Sequence, residues 1–170
     1  MKRRLYLKVL ALVVAGMAVA GCGTGRSIEK RLADMPQRAM LITEVHDRGI
    51  NLDSLESIYP SGLTRFGDSI PQGYLSAWRD FVMGMAQAMR SAGMDWDEPY
   101  RLSGRAYFSP DGRVDHYFYG WTGDRQPAEE WKTQFRGVLE RYLASYRFAY
   151  PMEGRFAQCG GIHLTPASRP

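Results

Sequence analysis

Two strand-like segments joined by a tight turn constrain the fold of this chain most strongly. The turn reads Ser109-Pro110-Asp111-Gly112, in which proline fixes φ and glycine accepts a positive φ. The segments on either side are Arg101 to Phe108 and Arg113 to Trp121, and the second is rich in aromatic residues, which favour strands. The sequence therefore predicts a β-hairpin over residues 101–121.

Alternation along the second strand sorts its side chains onto two faces. One face receives Val114, His116 and Phe118, and the other receives Asp115, Tyr117, Tyr119 and Trp121. Because both faces carry aromatic side chains, we expect helices to pack on one of them and something else to cover the other.

Three other regions have the periodicity of helices. Between Tyr74 and Ala92, apolar residues recur every three or four positions and predict the clearest helix, which Gly93 ends. Another helix begins at Pro127 and ends near residue 147. The stretch from Ser27 to Arg48 is predicted as two helices that are separated at Pro36.

A last strand is predicted from Arg155 to Leu164. Together these elements predict an α+β fold, in which amino-terminal helices pack on a small antiparallel sheet of three strands with an exposed edge. We divide this part of the chain into a helical segment over residues 27–98 and a ββαβ segment over residues 99–165. The two segments are expected to form one globule.

The first 22 residues have the three parts of a secretory signal. Basic residues at positions 2–4 precede an apolar run from Leu5 to Ala20, and small residues then lead to Cys22. The run is shorter than the ~20 residues that a spanning helix requires, and Lys8 interrupts it, which argues against a retained membrane anchor.

The end of this leader, Val19-Ala20-Gly21-Cys22, resembles the lipobox of bacterial lipoproteins. The resemblance implies a signal peptide over residues 1–21, acylation of Cys22 with three chains such as palmitate, and a short tether over residues 22–26. Several acyl chains hold a protein stably on a membrane, whereas one holds it weakly. A plain signal that is cleaved elsewhere and a retained anchor are the alternatives.

The residue that follows Cys22 predicts the membrane in which the protein is located. In the lipoprotein family an aspartate at this position retains the protein in the inner membrane, and this chain has Gly23 instead. The resemblance therefore implies a lipid-anchored protein on the periplasmic or surface face of the outer membrane.

The basic pI of about 9.2 arises from the leader. The chain has 22 basic and 18 acidic residues, and the leader contributes four of the basic residues and no acidic one. The rest of the chain is therefore formally neutral and lacks the basic patches of nucleic-acid-binding proteins. We expect a membrane and an envelope protein as partners, and no nucleic acid.

The chain contains two cysteines, Cys22 and Cys159. If Cys22 is acylated, Cys159 has no partner in the chain, and we expect a buried, small apolar side chain. An intermolecular disulfide and a ligand role stay open. Cys159 and His163 share a strand face and with His116 offer three metal ligands, but structural histidines are expected, so we predict no metal and no cofactor.

Catalytic signatures are absent from the sequence. It contains no GxSxG, HExxH, P-loop or dinucleotide-binding glycine pattern. The run from Ser27 to Lys30 matches SxxK but lacks the companion SDN and KTG elements. Asp115 and His116 point to opposite faces of one strand and cannot act as a dyad. We therefore predict no catalytic residue and no enzyme.

The carboxyl-terminal half carries a second resemblance. A strand ends in Asp-Gly-Arg-Val at Val114, a helix follows over Trp131 to Tyr146, and Tyr150-Pro151 precedes the last strand, Phe156 to Leu164. This order resembles the carboxyl-terminal domain of TonB-type energy transducers, which bind partners by strand addition. However, residues 23–26 are too short a spacer to cross a periplasm at ~3.3–3.6 Å per residue, so we do not expect energy transduction.

Two functional hypotheses follow. The first is a membrane-tethered, non-enzymatic interaction module, whose contact face is Tyr117, Tyr119 and Trp121 if helices leave that face open. We favour the alternative that the amino-terminal helices bury it. The second is a small-ligand or metal binder, or an enzyme, with an aromatic pocket between the helices and the sheet. Its candidate pocket residues are Trp96, Tyr100, Trp121 and Trp131, with His116, His163 and Cys159 as polar groups.

Overall fold

The computed structural model describes residues 23–166, with side chains described from residue 28 onward. The chain forms two compact units, which divide between Met35 and Pro36. The division of residues 27–165 into a helical segment and a ββαβ segment of one globule stays a prediction. All strands found in residues 23–166 belong to the second unit.

The described part of the first unit is dominated by one helix, α1 (Gly23–Ala33). This helix was expected from Ser27, and it begins at Gly23 instead, so that most of the predicted tether is helical. The predicted signal peptide and Cys22 lie outside the described residues.

The second unit contains a four-stranded mixed sheet. Its strands are β1 (Ala39–Leu41), β2 (Tyr100–Phe108), β3 (Val114–Thr122) and β4 (Phe156–Leu164), in the order β1-β3-β2-β4. Strand β2 is antiparallel to β3 and β4, whereas β1 is parallel to β3. The α+β class is confirmed, but the expectation of a three-stranded antiparallel sheet is wrong because β1 adds a parallel strand.

The unit also contains three helices, which are α2 (Ile42–Asp47), α3 (Gln72–Ser91) and α4 (Glu129–Ser145), and two short 3-10 turns, Asp53–Ser57 and Leu63–Arg65. Helices α3 and α4 pack on one face of the sheet. The ring of Phe81 on α3 contacts Tyr117 with centroids 5.9 Å apart, and Phe135 on α4 contacts Tyr119 at 5.6 Å. Within residues 23–166, no helix is both long and apolar enough to span a membrane.

A β-bulge changes the face assignment in the hairpin. Phe108 pairs with Val114 and Tyr107 pairs with His116, which leaves Asp115 as the extra residue. Val114 therefore belongs to the same core as Tyr117. The predictions that Val114 shares a face with His116 and that Asp115 lies on the opposite face from His116 are both wrong, because simple alternation does not continue through a bulge and Asp115 reaches Tyr59 on the His116 face.

The opposite face of the sheet is covered only at one end. Tyr59 packs edge-on against Tyr107, with ring centroids 5.2 Å apart, and donates a hydrogen bond to Asp115 Oδ2 at 3.0 Å. Towards the other end of the same face, Ser103 and Gly161 are exposed. This face is therefore part core and part open surface.

Candidate functional site

The aromatic face that the sequence offered as a partner-contact surface is closed. Tyr117 is 0% exposed and Tyr119 is 1% exposed, because α3 and α4 cover them. Trp121 is half-buried beside Trp131, with centroids 5.8 Å apart. The face is thus buried, as in the alternative that we favoured, but by α4 of the carboxyl-terminal half as well as by α3, and Tyr117 and Tyr119 cannot contact a partner.

The four aromatic residues suggested as a pocket do come together. Trp131 contacts Trp96 at 6.1 Å, Tyr100 at 5.4 Å and Trp121 at 5.8 Å between ring centroids. The indole N–H of Trp131 donates to the carbonyl of Asp95 at 3.0 Å. These rings pack against one another, so they form a closed cluster and not a cavity.

A cleft of about 320 Å³ lies beside this cluster, between the sheet and α4, and Trp121 lines it. Its cations already have partners. Arg136 pairs with Glu44 at 2.9 Å, and Lys132 pairs with Glu129 at 2.8 Å. A charged ligand would have to break these internal ion pairs, which makes the cleft a weak candidate for a binding site.

The three suggested polar groups lie on the other face of the sheet, away from the aromatic cluster. His116 is on β3, whereas Cys159 and His163 are on β4, with β2 between the two strands. In residues 23–166, no three His, Cys, Asp or Glu side chains are placed to hold a metal ion. Cys159 is exposed, so its expected burial is wrong, because its side chain points away from the helices.

His116 is half-buried and packs against its own strand. Its ring stacks on Phe118 with centroids 5.6 Å apart, and its Nδ1 is buried without a hydrogen-bond partner among the described residues. Burial, helped by the charges of Arg38 and Arg155, lowers the pKa of His116 from 6.5 to about 4. The folded protein therefore holds this imidazole neutral.

We expect the fold to lose stability as the pH falls from 6.5 towards 4, because the unfolded chain binds a proton that folded His116 does not. His116→Phe removes the titrating group. The free energy of unfolding of this variant should therefore fall less steeply with pH, by up to about 1.4 kcal/mol per pH unit. Urea unfolding at several pH values measures this pH dependence. His163→Phe, at an exposed position, is the matched control. Equal pH slopes for the parent and His116→Phe would contradict the expectation.

The outer edge of β4 is the strongest candidate site. Near its start, the N–H of Ala157 donates to the carbonyl of Pro60 at 2.9 Å, and the N–H of Gly62 donates to the carbonyl of Ala157 at 2.8 Å. The backbone of Ala157 therefore points away from β2. Since backbone direction alternates in an antiparallel pair, Cys159, Gly161 and His163 point outward as well.

These outward groups are largely unpaired. The carbonyl of Cys159 accepts a hydrogen bond from Gln158 Nε2 at 2.9 Å. In the part of the chain that the structure describes, the N–H and carbonyl groups of Gly161 and His163 have no partner. Strand β4 thus has an open edge over residues 159–164, which we call the β4 edge.

The β4 edge lacks the features that keep edge strands apart. Natural edges are blunted by lysine, proline, bulges or very short strands. Strand β4 contains no charged residue and no proline, and it pairs with β2 over Phe156–Leu164 without a register shift. Such a regular, uncharged edge is competent to accept another strand.

Contacts with α3 hold β4 in place. The hydroxyl of Tyr74 donates to Gln158 Oε1 at 2.5 Å, and burial raises the pKa of Tyr74 to about 12, so this donor stays protonated. Trp78 lies over Gly160, where an added Cβ would come within 2.7 Å of the indole ring. The edge therefore sits on a rigid support.

Sequence reasoning expected an exposed edge but did not assign it to a strand. The signal that could have located it is the absence of charge and proline across residues 156–164, together with the paired glycines Gly160 and Gly161. Comparisons with protein-family models, curated proteins and solved structures give no match for this chain. The resemblances to the lipobox and to the TonB-type domain therefore stay predictions from the residues quoted above.

Proposed function

We propose that this protein is a lipid-anchored envelope protein that acts as a non-enzymatic interaction module and binds its partner by strand addition at the β4 edge. The observation that supports this function best is the row of outward backbone groups at Cys159, Gly161 and His163. In strand addition, backbone hydrogen bonds supply affinity and the neighbouring side chains supply specificity.

The modest affinity expected of strand addition favours binding between two proteins that are held on the same membrane. A backbone hydrogen bond contributes only about 0.5–1.5 kcal/mol net, so an edge of this length binds modestly by itself. Acylation of Cys22 would confine the domain and a partner in the same membrane to one surface. Confinement raises the effective concentration of each for the other and compensates for modest affinity.

The anchor is tested by replacing the acylated residue. We expect Cys22→Ser to move the protein from the membrane fraction to the aqueous fraction, because the acyl chains supply the membrane affinity. Fractionation followed by mass spectrometry of the amino terminus measures both location and acylation. Equally firm membrane attachment of Cys22→Ser and the parent would contradict the proposed anchor.

The edge is tested with two substitutions at one position. Gly161→Pro removes an outward N–H while leaving the hydrogen bonds to β2, because proline is tolerated where its nitrogen faces away from the sheet. Gly161→Ala keeps the N–H, and its Cβ would meet no heavy atom within 4 Å. Crosslinking in intact cells should join a partner to the parent and to Gly161→Ala, but not to Gly161→Pro.

The same experiment can refute the edge. If Gly161→Pro, shown to be folded by circular dichroism, crosslinks the same protein in the same yield as Gly161→Ala, then the partner does not use this edge. Recovery of no partner with the parent in its native membrane would contradict the interaction module itself.

A further inference from the structure

Resting on the proposed function, we infer that the strand accepted by the β4 edge alternates apolar and acidic side chains, with the apolar ones towards α3 and the acidic ones towards Arg101. Side chains of an added strand alternate between the two faces of the sheet. The surroundings of the β4 edge differ in chemistry on those two faces.

On the helix side the border is apolar. Trp78 lies over Gly160 of β4, which places this flank of α3 at the open edge. Leu75 and Val82 are three and four positions from Trp78 and so share its flank. Leu75 is 38% exposed, and Trp78 and Val82 are half-buried. Apolar side chains of an added strand would complete the burial of this flank.

On the opposite face the border is small and basic. Gly161 pairs with Ser103 of β2, and an added Cβ at Gly161 would meet nothing within 4 Å. Arg101 pairs with His163, is exposed, and has no ion-pair partner among the described residues. An added strand would lie two strand spacings, about 9.6 Å, from β2, so the arginine side chain and a carboxylate side chain of that strand would have to meet over Gly161.

Arg105 does not compete with Arg101 for this role. It pairs with Glu56 at 3.2 Å, and its guanidinium lies over the ring of Tyr107, 5.6 Å from the centroid. Its side chain is 16% exposed. Arg101 is therefore the available cation on this face, and a carboxylate on the incoming strand would supply its missing partner.

The elements that border the edge carry an excess of positive charge. Strands β2 and β4 contain two arginines and no acid, and α3 contains Arg79, Arg90 and one acid, Asp80. Burial and then the charge of Asp80 raise the pKa of Tyr146 to about 12, which places Asp80 on the side of α3 that faces α4. Arg105 is paired with Glu56 at 3.2 Å and Arg90 lies over the ring of Trp96, so on the face away from α3 the positive charge beside the β4 edge is that of Arg101.

This charge also argues against a second copy of the chain as the occupant. Pairing of two β4 edges would bring the arginine-bearing flanks of both copies together without a carboxylate between them. Like charges across an interface oppose association. An acidic strand, in contrast, supplies a carboxylate to Arg101.

Labelled peptides test the inference on the protein as it is purified from membranes in detergent. One nine-residue peptide alternates valine and glutamate, and its matched control alternates valine and lysine. By fluorescence anisotropy we expect the glutamate peptide to bind about tenfold more tightly or better, and its affinity to fall at high salt. Arg101→Glu should reverse the preference, and Arg101→Gln should reduce it.

Two controls test whether the glutamate peptide binds at the β4 edge. Gly161→Pro should abolish binding and Gly161→Ala should preserve it. A glutamate peptide that is N-methylated at alternate residues should not bind the parent, which keeps the test decisive even if a variant fails to fold. If the N-methylated glutamate peptide binds as tightly as the unmodified one, then charge attraction alone explains the binding. That result would overturn the inference.

The remaining outcomes separate this inference from the proposed function. If both peptides bind the parent equally and neither binds Gly161→Pro, the acidic preference is overturned. The β4 edge would then still be the site that accepts a strand. Binding of neither peptide would overturn the acidic–apolar pattern, whereas the crosslinking comparison of Gly161→Pro with Gly161→Ala would still decide the proposed function.

Discussion

Replacing Phe81 by alanine should lower the free energy of unfolding by about 3–5 kcal/mol. Phe81 is 0% exposed and lies where α3, α4 and the sheet meet. Its ring contacts Trp78 at 5.2 Å, Phe108 at 5.7 Å, Tyr117 at 5.9 Å and Tyr146 at 5.0 Å between centroids. Removing it leaves a cavity that these packed rings cannot close.

Urea unfolding of the parent and the variant measures this loss. Met83→Ala is the matched control, because Met83 is on the same helix and is 60% exposed. An exposed substitution of this kind usually changes stability by less than about 0.5 kcal/mol. A loss below about 1 kcal/mol for Phe81→Ala would mean that the rings around it can repack.

Adding a single methyl group at Gly104 should destabilise the fold by about 2–3 kcal/mol. A Cβ on Gly104 would overlap the phenol ring and hydroxyl of Tyr117. Tyr117 cannot move away, because its ring lies 5.9 Å from Phe81 and 6.0 Å from Tyr119, and all three are buried. The strain therefore falls on the hairpin itself.

The control for Gly104→Ala is the same substitution at another strand glycine of the sheet. Gly161→Ala should change the free energy of unfolding by no more than about 0.5 kcal/mol, since the new Cβ would meet nothing within 4 Å. Equal losses for the two variants would assign the effect to glycine in a strand generally, and would remove Tyr117 from the explanation.

Local patterns in the sequence predicted most of the elements. The hairpin of β2 and β3, the helix α3, the helix α4 and the strand β4 all lie close to their predicted positions. These elements depend on turn chemistry and on periodicity within a short stretch, which the sequence displays directly.

Two features of the fold escaped prediction because they depend on distant pairing. Strand β1 has only three residues, Ala39–Leu41, and is held by β3, which lies far along the chain. The bulge at Asp115 arises from the register of β2 against β3. Neither three residues nor one inserted residue leaves a periodic signal.

The burial of residues at the candidate site also could not be predicted from the local sequence. Cys159 was expected to be buried and is exposed, whereas the face of Tyr117 was left between two alternatives and is buried. Residue type predicts average burial, but the actual burial of a strand residue depends on which face the helices cover. That choice is made by α3 and α4, which lie on either side of the hairpin in the chain.

The sequence by itself determined the α+β class, the main helices and strands, and the neutral charge of residues 22–170, because each follows from local composition and spacing. Tertiary structure alone decided which aromatic face is closed, where β1 pairs and which strand keeps an open edge. Those outcomes depend on contacts between residues that are far apart in the chain, and no local pattern records them.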